Sequence, residues 1–278
     1  MSAPAVRVRL LDTGHCTVPA SHVLRGAPPT PMDCHALVAL IEHPSRGLAL
    51  WDAGYAPRLL DALRPWPFPL YRLATPLRIG PELAAAAQLE RMGLRPAEVG
   101  HVLISHFHAD HIAGLRDFPA ATFVADADAI ESVAGLGGVA ALRRAFVPAL
   151  LPDDFARRAQ PVYRYDGPEV APFGPSHDLF GDGSLLLLRL PGHARGQLGL
   201  LLRTAAGPVL LAADGAWLTR SIREGRGPGR AGYLIADDPR ALDATLAKLR
   251  AFALANPAAR IVPTHCPESL AMARRGEL

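Results

Sequence analysis

Residues 106–111 read His106-Phe107-His108-Ala109-Asp110-His111, three imidazoles and a carboxylate in one short run. They follow Val102-Leu103-Ile104-Ser105, an apolar stretch with the length and composition of a buried strand. In extended backbone, residues two apart face the same way, so His106 and His108 can hold one ion together. A turn into helix immediately afterwards lets Asp110 and His111 face a second ion. Imidazole nitrogens and carboxylate oxygens suit zinc, and also iron or manganese. A solvated histidine-rich tract is the alternative, and it fits poorly between an apolar strand and the apolar Ile112-Ala113-Gly114-Leu115.

Three further residues of the same chemistry close apolar strands in the second half of the chain. His193 follows Leu185–Leu190 through Pro191-Gly192, Asp214 closes Val209–Ala213, and His265 follows Ile261-Val262 through Pro263-Thr264. Any one alone reads as an ordinary hydrogen-bonded residue. Together with the first motif they read as parts of one metal centre.

The order HxHxDH, Gly-His, Asp, His resembles the ligand series of the metallo-β-lactamase superfamily, and the resemblance spans nearly the whole chain. It implies an α/β fold, an αββα sandwich of two mixed β-sheets packed face to face with helices outside. It also implies two divalent metal ions, zinc first among them, with His106, His108 and His193 on one, Asp110, His111 and His265 on the other, and Asp214 between them. Asp52, in the Asp52-Ala53-Gly54 motif of the first half, is expected behind the ligands, orienting a histidine. Two such ions, two carboxylates and one bridging hydroxide leave a net positive charge that can stabilise an oxyanion, with Asp110 placed to relay the proton.

Within that superfamily the chain is most similar to the quorum-quenching N-acyl-homoserine lactonases, through total length, a long insertion between HxHxDH and Gly-His, and Ile41-Glu42-His43-Pro44 ahead of Asp52-Ala53-Gly54. Where those enzymes carry a tyrosine three residues after the bridging aspartate, this chain has Trp217. The resemblance therefore implies a hydrolase opening a lactone or cleaving an ester of a small molecule, with Trp217 and Phe107 as candidate substrate contacts. Tyr163 and Tyr165 are candidates for the missing hydroxyl. A glyoxalase II-like thioesterase shares every ligand, and a metal-bearing ligand sensor is the reading from another class.

The elements that must position these residues are legible as periodicity. Val6–Leu11, His35–His43 and Leu48–Trp51 read as strands, with Pro44–Gly47 as a turn. A helix is expected over Glu82–Met92, another after residue 111, a strand at Thr122–Ala125 and a helix from Asp126. Strands follow at Leu185–Leu190, Gln197–Arg203, Val209–Ala213 and Ile261-Val262. Asp238 and Pro239 open a last helix with Leu242, Leu246, Leu249 and Phe252 along one face. The whole chain, 1–278, reads as one domain with an insertion or lid at about 135–183, and residues 223–230 as a basic, solvated loop.

Composition removes other chemistries. The chain has 278 residues, 50% hydrophobic and 20% charged, with a net charge of +3, too balanced to imply nucleic-acid binding. Lys248 is the only lysine and sits in a helical stretch, which excludes P-loop, Schiff-base and Ser-x-x-Lys mechanisms. Cys16, Cys34 and Cys266 are far apart, odd in number and free of any CxxC, so a disulfide framework is not expected and a reducing cytoplasm is. No apolar run approaches a membrane span. A homodimer is the candidate assembly.

Overall fold

Val6, Val8 and Leu10 open a strand longer than its alternating pattern. In the computed structural model, which describes residues 3–276, β1 runs Arg7–Pro19 against β2, Pro31–His43. Their register shifts between Asp12 and His15, where Gly14 takes φ +112° and a Cβ would lie 2.6 Å from the Arg78 carbonyl oxygen. Only glycine fits that close approach. β2 turns into β3 (Gly47–Trp51) at the expected Pro44–Gly47, and buried His43 pins the turn by accepting the Ser45 and Arg46 N–H groups on Nδ1, both at 3.1 Å.

With β4 (Leu77–Arg78), β5 (Val99–Leu103), β6 (Thr122–Asp126) and β7 (Ala159–Val162) these form a seven-stranded sheet, ordered β4-β1-β2-β3-β5-β6-β7. It is antiparallel from β4 to β3 and parallel from β3 to β7. After a small hairpin of β8 (Glu169–Val170) and β9 (Gly174–Pro175), the second sheet holds β10 (His177–Asp178), β11 (Leu185–Arg189), β12 (Leu198–Thr204), β13 (Gly207–Ala213) and β14 (Arg260–Pro263) in sequence order.

The four-leucine run of β11 shows how the layers stack. Leu185 and Leu187 pack between the sheets with Ile41, Trp51 and Leu103. Leu186 and Leu188 face outward against Leu246, Leu249 and Phe252 of the long helix Pro239–Ala255. The outer face of the first sheet is covered by Leu59, Leu89, Phe118 and Phe146. Period-two side chains buried on both faces are what a sheet between a sheet and a helix layer requires. The αββα sandwich expected from the ligand series is the fold observed.

The long helix starts as expected: Asp238 Oδ1 accepts the N–H groups of Arg240 and Ala241 at 2.9 and 3.1 Å, with Pro239 in the first turn. Two other helices are shorter than expected. Glu82–Met92 splits into a single turn at Pro81–Leu83 and a helix over Ala85–Arg91, because Ala84 is extended and the Gln88 side chain ties Leu83 O to Asp12 O of β1. After residue 111 the helix stops at Ile112, where Gly114 lies so close to Ala53 that a Cβ would be 2.3 Å from its carbonyl oxygen.

Residues 223–230 are only partly a solvated loop: Arg223, Glu224, Gly225 and Arg230 are exposed, while Gly227-Pro228-Gly229 are buried. Arg223 ends a helix over Thr219–Glu224 and pairs with Glu268 at 2.6 and 2.8 Å, and Arg226 bonds Glu224. The 135–183 segment contributes β7 to one sheet and β10 to the other. Among the described residues no helix is long and apolar enough to cross a membrane.

Gly192, which delivers the chain to His193, takes φ +127°, and a Cβ there would lie 2.1 Å from Leu242 N. Gly192→Ala is expected to destabilise the protein by roughly 2–4 kcal/mol, from backbone strain plus overpacking, read as a lower urea midpoint. An unchanged midpoint would show that the long helix can give way.

Candidate metal centre

All seven residues singled out by type and spacing meet at one edge of the sandwich, where β5, β11, β13 and β14 end. His106 and His108 leave β5, His193 follows β11, Asp214 follows β13 and His265 follows β14. Single ligand atoms from His106, His108 and His193 lie within 4.8 Å of one another, and so do those of Asp110, His111 and His265 and those of His106, His111 and Asp214. The Asp214 carboxylate stands between the two histidine groups: Oδ2 is 3.1 Å from His193 Nε2 and 3.1 Å from His265 Nε2, and Oδ1 is 3.5 Å from His111 Nε2. Asp110 Oδ2 lies 3.5 Å from His265 Nε2 and 3.7 Å from His111 Nε2.

The backs of the imidazoles are held. His111 Nδ1 donates to Asp52 Oδ2 at 2.7 Å, and Asp52 also accepts the Ser105 N–H at 2.7 Å and its hydroxyl at 2.9 Å. His265 Nδ1 donates to the carbonyl of His35 at 2.7 Å. Asp52 itself sits at φ +61°, and on the other sheet Ala213, just before Asp214, sits at φ +44°. These corners belong to the two similar sequences Trp51-Asp52-Ala53-Gly54 and Ala213-Asp214-Gly215-Ala216. In the first, Asp52 and Gly54 are left-handed, and in the second Ala213 is; the Asp52 carboxylate sits behind the imidazoles while that of Asp214 sits among them.

Charge is divided across the cluster. Burial pushes His108 and His193 down to about 3 and His106 well below its ordinary value, with Asp214 only partly offsetting it at His108 and His193. Burial also opposes charge on His111, but Asp52, Asp110 and Asp214 win and hold it up at about 9. His265 is raised to about 10 against its own burial, chiefly by Asp214. Burial would raise Asp214, yet His265, His193 and His111 hold it well below the usual carboxylate range.

Several buried ligand atoms lack a hydrogen-bond partner among the described residues: His106 Nε2, His111 Nε2 and Asp214 Oδ1. An unpaired buried acceptor is costly, and three around one point are the donor set a cation satisfies. The residues therefore fit divalent metal. Because a ligating imidazole must be neutral while His111 and His265 titrate at about 9 and 10, metal uptake at pH 7.5 should release about two protons, and affinity should rise with pH toward that range. Calorimetry of metal into metal-free protein, in two buffers of different ionisation enthalpy, reads this directly. Identical heats would contradict it.

A cavity of about 590 Å3 opens onto His108, Asp110, His193, Asp214 and His265. Its walls are mostly apolar and include Val18, Leu70, Leu142, Leu234 and Ile235, and Trp217 also lines it. The Trp217 indole N–H donates to Asp214 Oδ2 at 2.9 Å, so its donor is engaged with the cluster. Phe107 packs with Phe146 and Phe155 in the core and is absent from this wall. Tyr163 is exposed and the Tyr165 hydroxyl is bonded to Asp126, so neither supplies a hydroxyl here. Tyr55 and Tyr71 line the cavity instead, with His22, Cys16 and Cys34. Sequence spacing missed these five because they are brought to the cavity from separate places, Cys16 and Cys34 from β1 and β2, His22 and Tyr71 from short helices and Tyr55 from the segment after β3.

A four-layer α/β sandwich carrying a histidine–aspartate cluster at its strand ends defines a class of metal-dependent proteins. Residues 31–265 match the metallo-beta-lactamase superfamily, and the chain belongs to it. It is 31% identical over 150 residues to the N-acyl homoserine lactonase AttM of Azorhizobium caulinodans, covering 51% of this chain and 51% of that protein. It is 29% identical over 206 residues to a probable metallo-hydrolase of Mycobacterium tuberculosis, covering 69% of this chain and 59% of that protein. The chain thus spans about half the length of the curated relatives it matches. Among solved structures, a B. thuringiensis AiiA variant with N-decanoyl-L-homoserine bound at its active site superposes with a TM-score of 0.72 at 17% identity, over 98% of this chain and 96% of that one. The dizinc quorum-quenching lactonase AidC superposes with a TM-score of 0.66 at 16% identity, over 96% and 90%.

Proposed function

We propose that the protein is a dinuclear metal-dependent hydrolase that opens a lactone or cleaves an ester with an apolar acyl part. The observation that carries this reading is the position of the cavity: mostly apolar walls that end on the histidine–aspartate cluster. The lactonase relatives lend support. His106, His108 and His193 would hold one ion, Asp110, His111 and His265 the other, and Asp214 both, with zinc the first expectation and iron or manganese compatible with the same donors. Bound there, two ions lower the pKa of water to roughly 7 and polarise a carbonyl.

The chain's own residues do the rest. The walls place an acyl chain so that its carbonyl reaches the cluster, and burial keeps bulk water away. Asp110, on the cavity wall beside His111 and His265, is the carboxylate placed to take a proton from the attacking water and return it to the leaving oxygen. Asp52 and the His35 carbonyl fix the imidazoles of His111 and His265. Trp217 orients Asp214 through its indole N–H and contributes an apolar wall.

A thioester hydrolase is the second reading, favoured by one observation. On the other side of His108 and His193 lies a pocket of about 210 Å3 lined by Arg143, Arg144 and Arg195. Arg144 pairs with Asp237, while Arg143 and Arg195 have no ion-pair partner among the described residues and could meet an anionic carrier. Kinetics of the metal-loaded protein on acyl-lactones, acyl-CoA, glutathione thioesters, phosphodiesters and β-lactams separates the readings. The expected outcome is kcat/KM of at least ~10^4 M−1 s−1 on acyl-lactones, well above the other classes. Preference for the thioesters would select the second reading, and binding without turnover on any member would point to a sensor.

A further inference from the structure

The three cysteines, distant in sequence, meet in one apolar cluster with Val23, Leu24 and Leu218. Cys266 is already engaged: its sulfur accepts the Thr219 N–H at 3.3 Å and lies 3.2 Å from the Thr219 hydroxyl. Cys16 and Cys34 are placed differently. They are direct partners across the antiparallel pair β1–β2. Opposed residues of such a pair project from one face with Cβ atoms about 4.5–5.5 Å apart, and a disulfide needs about 3.5–4.5 Å, a small adjustment. Both line the 590 Å3 cavity, and both are free thiols. The hydrolytic chemistry above uses neither sulfur.

We propose that Cys16 and Cys34 are a dithiol modification site in the cavity wall, closed to a cross-strand disulfide by a small disulfide oxidant such as oxidised glutathione. Cys16, the more accessible of the two, attacks one sulfur of the oxidant, loses its proton to water and releases one glutathione as a thiol. Cys34 then attacks the mixed disulfide at Cys16, forms the Cys16–Cys34 bond and releases the second glutathione. Two protein thiols are oxidised, one glutathione disulfide is reduced to two thiols, and no other reactant is required. The closure lies next to a working part of the centre, because His35, whose carbonyl holds His265, directly follows Cys34. The inference is independent of which substrate is hydrolysed.

The test uses the full chain incubated with oxidised glutathione, then denatured, alkylated with N-ethylmaleimide and mapped by peptide mass. Wild type and Cys266→Ser should each lose two alkylatable thiols, yield a linked 16–34 peptide pair, and recover both thiols with dithiothreitol. Cys16→Ser and Cys34→Ser should stop at a glutathione adduct on the remaining cysteine. The wild-type map stands whether or not the serine variants fold. Wild type that keeps all three thiols, that links Cys266 instead, or that retains a stable glutathione adduct without the internal bond would overturn the proposal.

Discussion

His108→Ala is expected to lower kcat/KM by about 10^3–10^4, some 4–5.5 kcal/mol of transition-state stabilisation, with loss of bound metal. His108 Nδ1 lies 2.9 Å from His193 Nε2, and these two atoms with His106 Nε2 enclose one ion position. Removing His108 would leave His106, His193 and the shared Asp214 carboxylate to hold that ion, one ligand fewer, which weakens its binding and alters the position open to substrate. The variant should fold, since alanine is smaller and the lost group makes no backbone hydrogen bond among those observed. Elemental analysis and kinetics on one preparation check both halves of the expectation. A variant that keeps stoichiometric metal and activity within tenfold of wild type would refute the dinuclear reading.

The second large effect is expected at Asp52. Asp52→Ala leaves the Ser105 N–H, the Ser105 hydroxyl and His111 Nδ1 without their carboxylate acceptor at a site where all three residues are buried. Each unsatisfied group costs about 1–3 kcal/mol, and alanine at φ +61° adds about 1 kcal/mol more, so a loss of ~4 kcal/mol or greater is expected in chemical denaturation. Asp52→Asn separates charge from fold, because asparagine tolerates left-handed backbone and keeps an acceptor for Ser105. Its amide would turn an N–H toward His111 Nδ1. The imidazole then carries its proton on Nε2, the atom that has no partner in the cluster. Metal affinity should fall by 10–100-fold or more while stability falls little. If Asp52→Asn binds metal as wild type does, Asp52 serves the fold alone.

Much of this protein was legible before any coordinates. Period-two apolar runs announced the strands because a sheet buries one face per alternate residue; the structure then showed the leucine run of β11 buried on both faces. The seven histidines and aspartates of the cluster stood out because they fall at or just after the ends of apolar strands, and the strand ends at one edge of a two-sheet sandwich are neighbours. Helix lengths were less legible. A close approach of Gly114 to Ala53 and a side-chain tie from Gln88 to β1 cut two helices short, and both are contacts between distant residues. Local propensity contains no trace of them.

Tertiary structure alone decided the rest. It brought Cys16, Cys34 and Cys266 into one cluster, chose Tyr55 and Tyr71 over Tyr163 and Tyr165 for the cavity wall, and turned Arg223 and Arg226 into partners of Glu268 and Glu224. It also separated the duties of Asp52 and Asp214, whose flanking sequences are nearly alike: one carboxylate stands behind His111 and the other among the ligands. Residue type declares which chemistry a side chain can perform. Which neighbour it meets is set by chain crossings many residues away, and those exist only once the two sheets have packed.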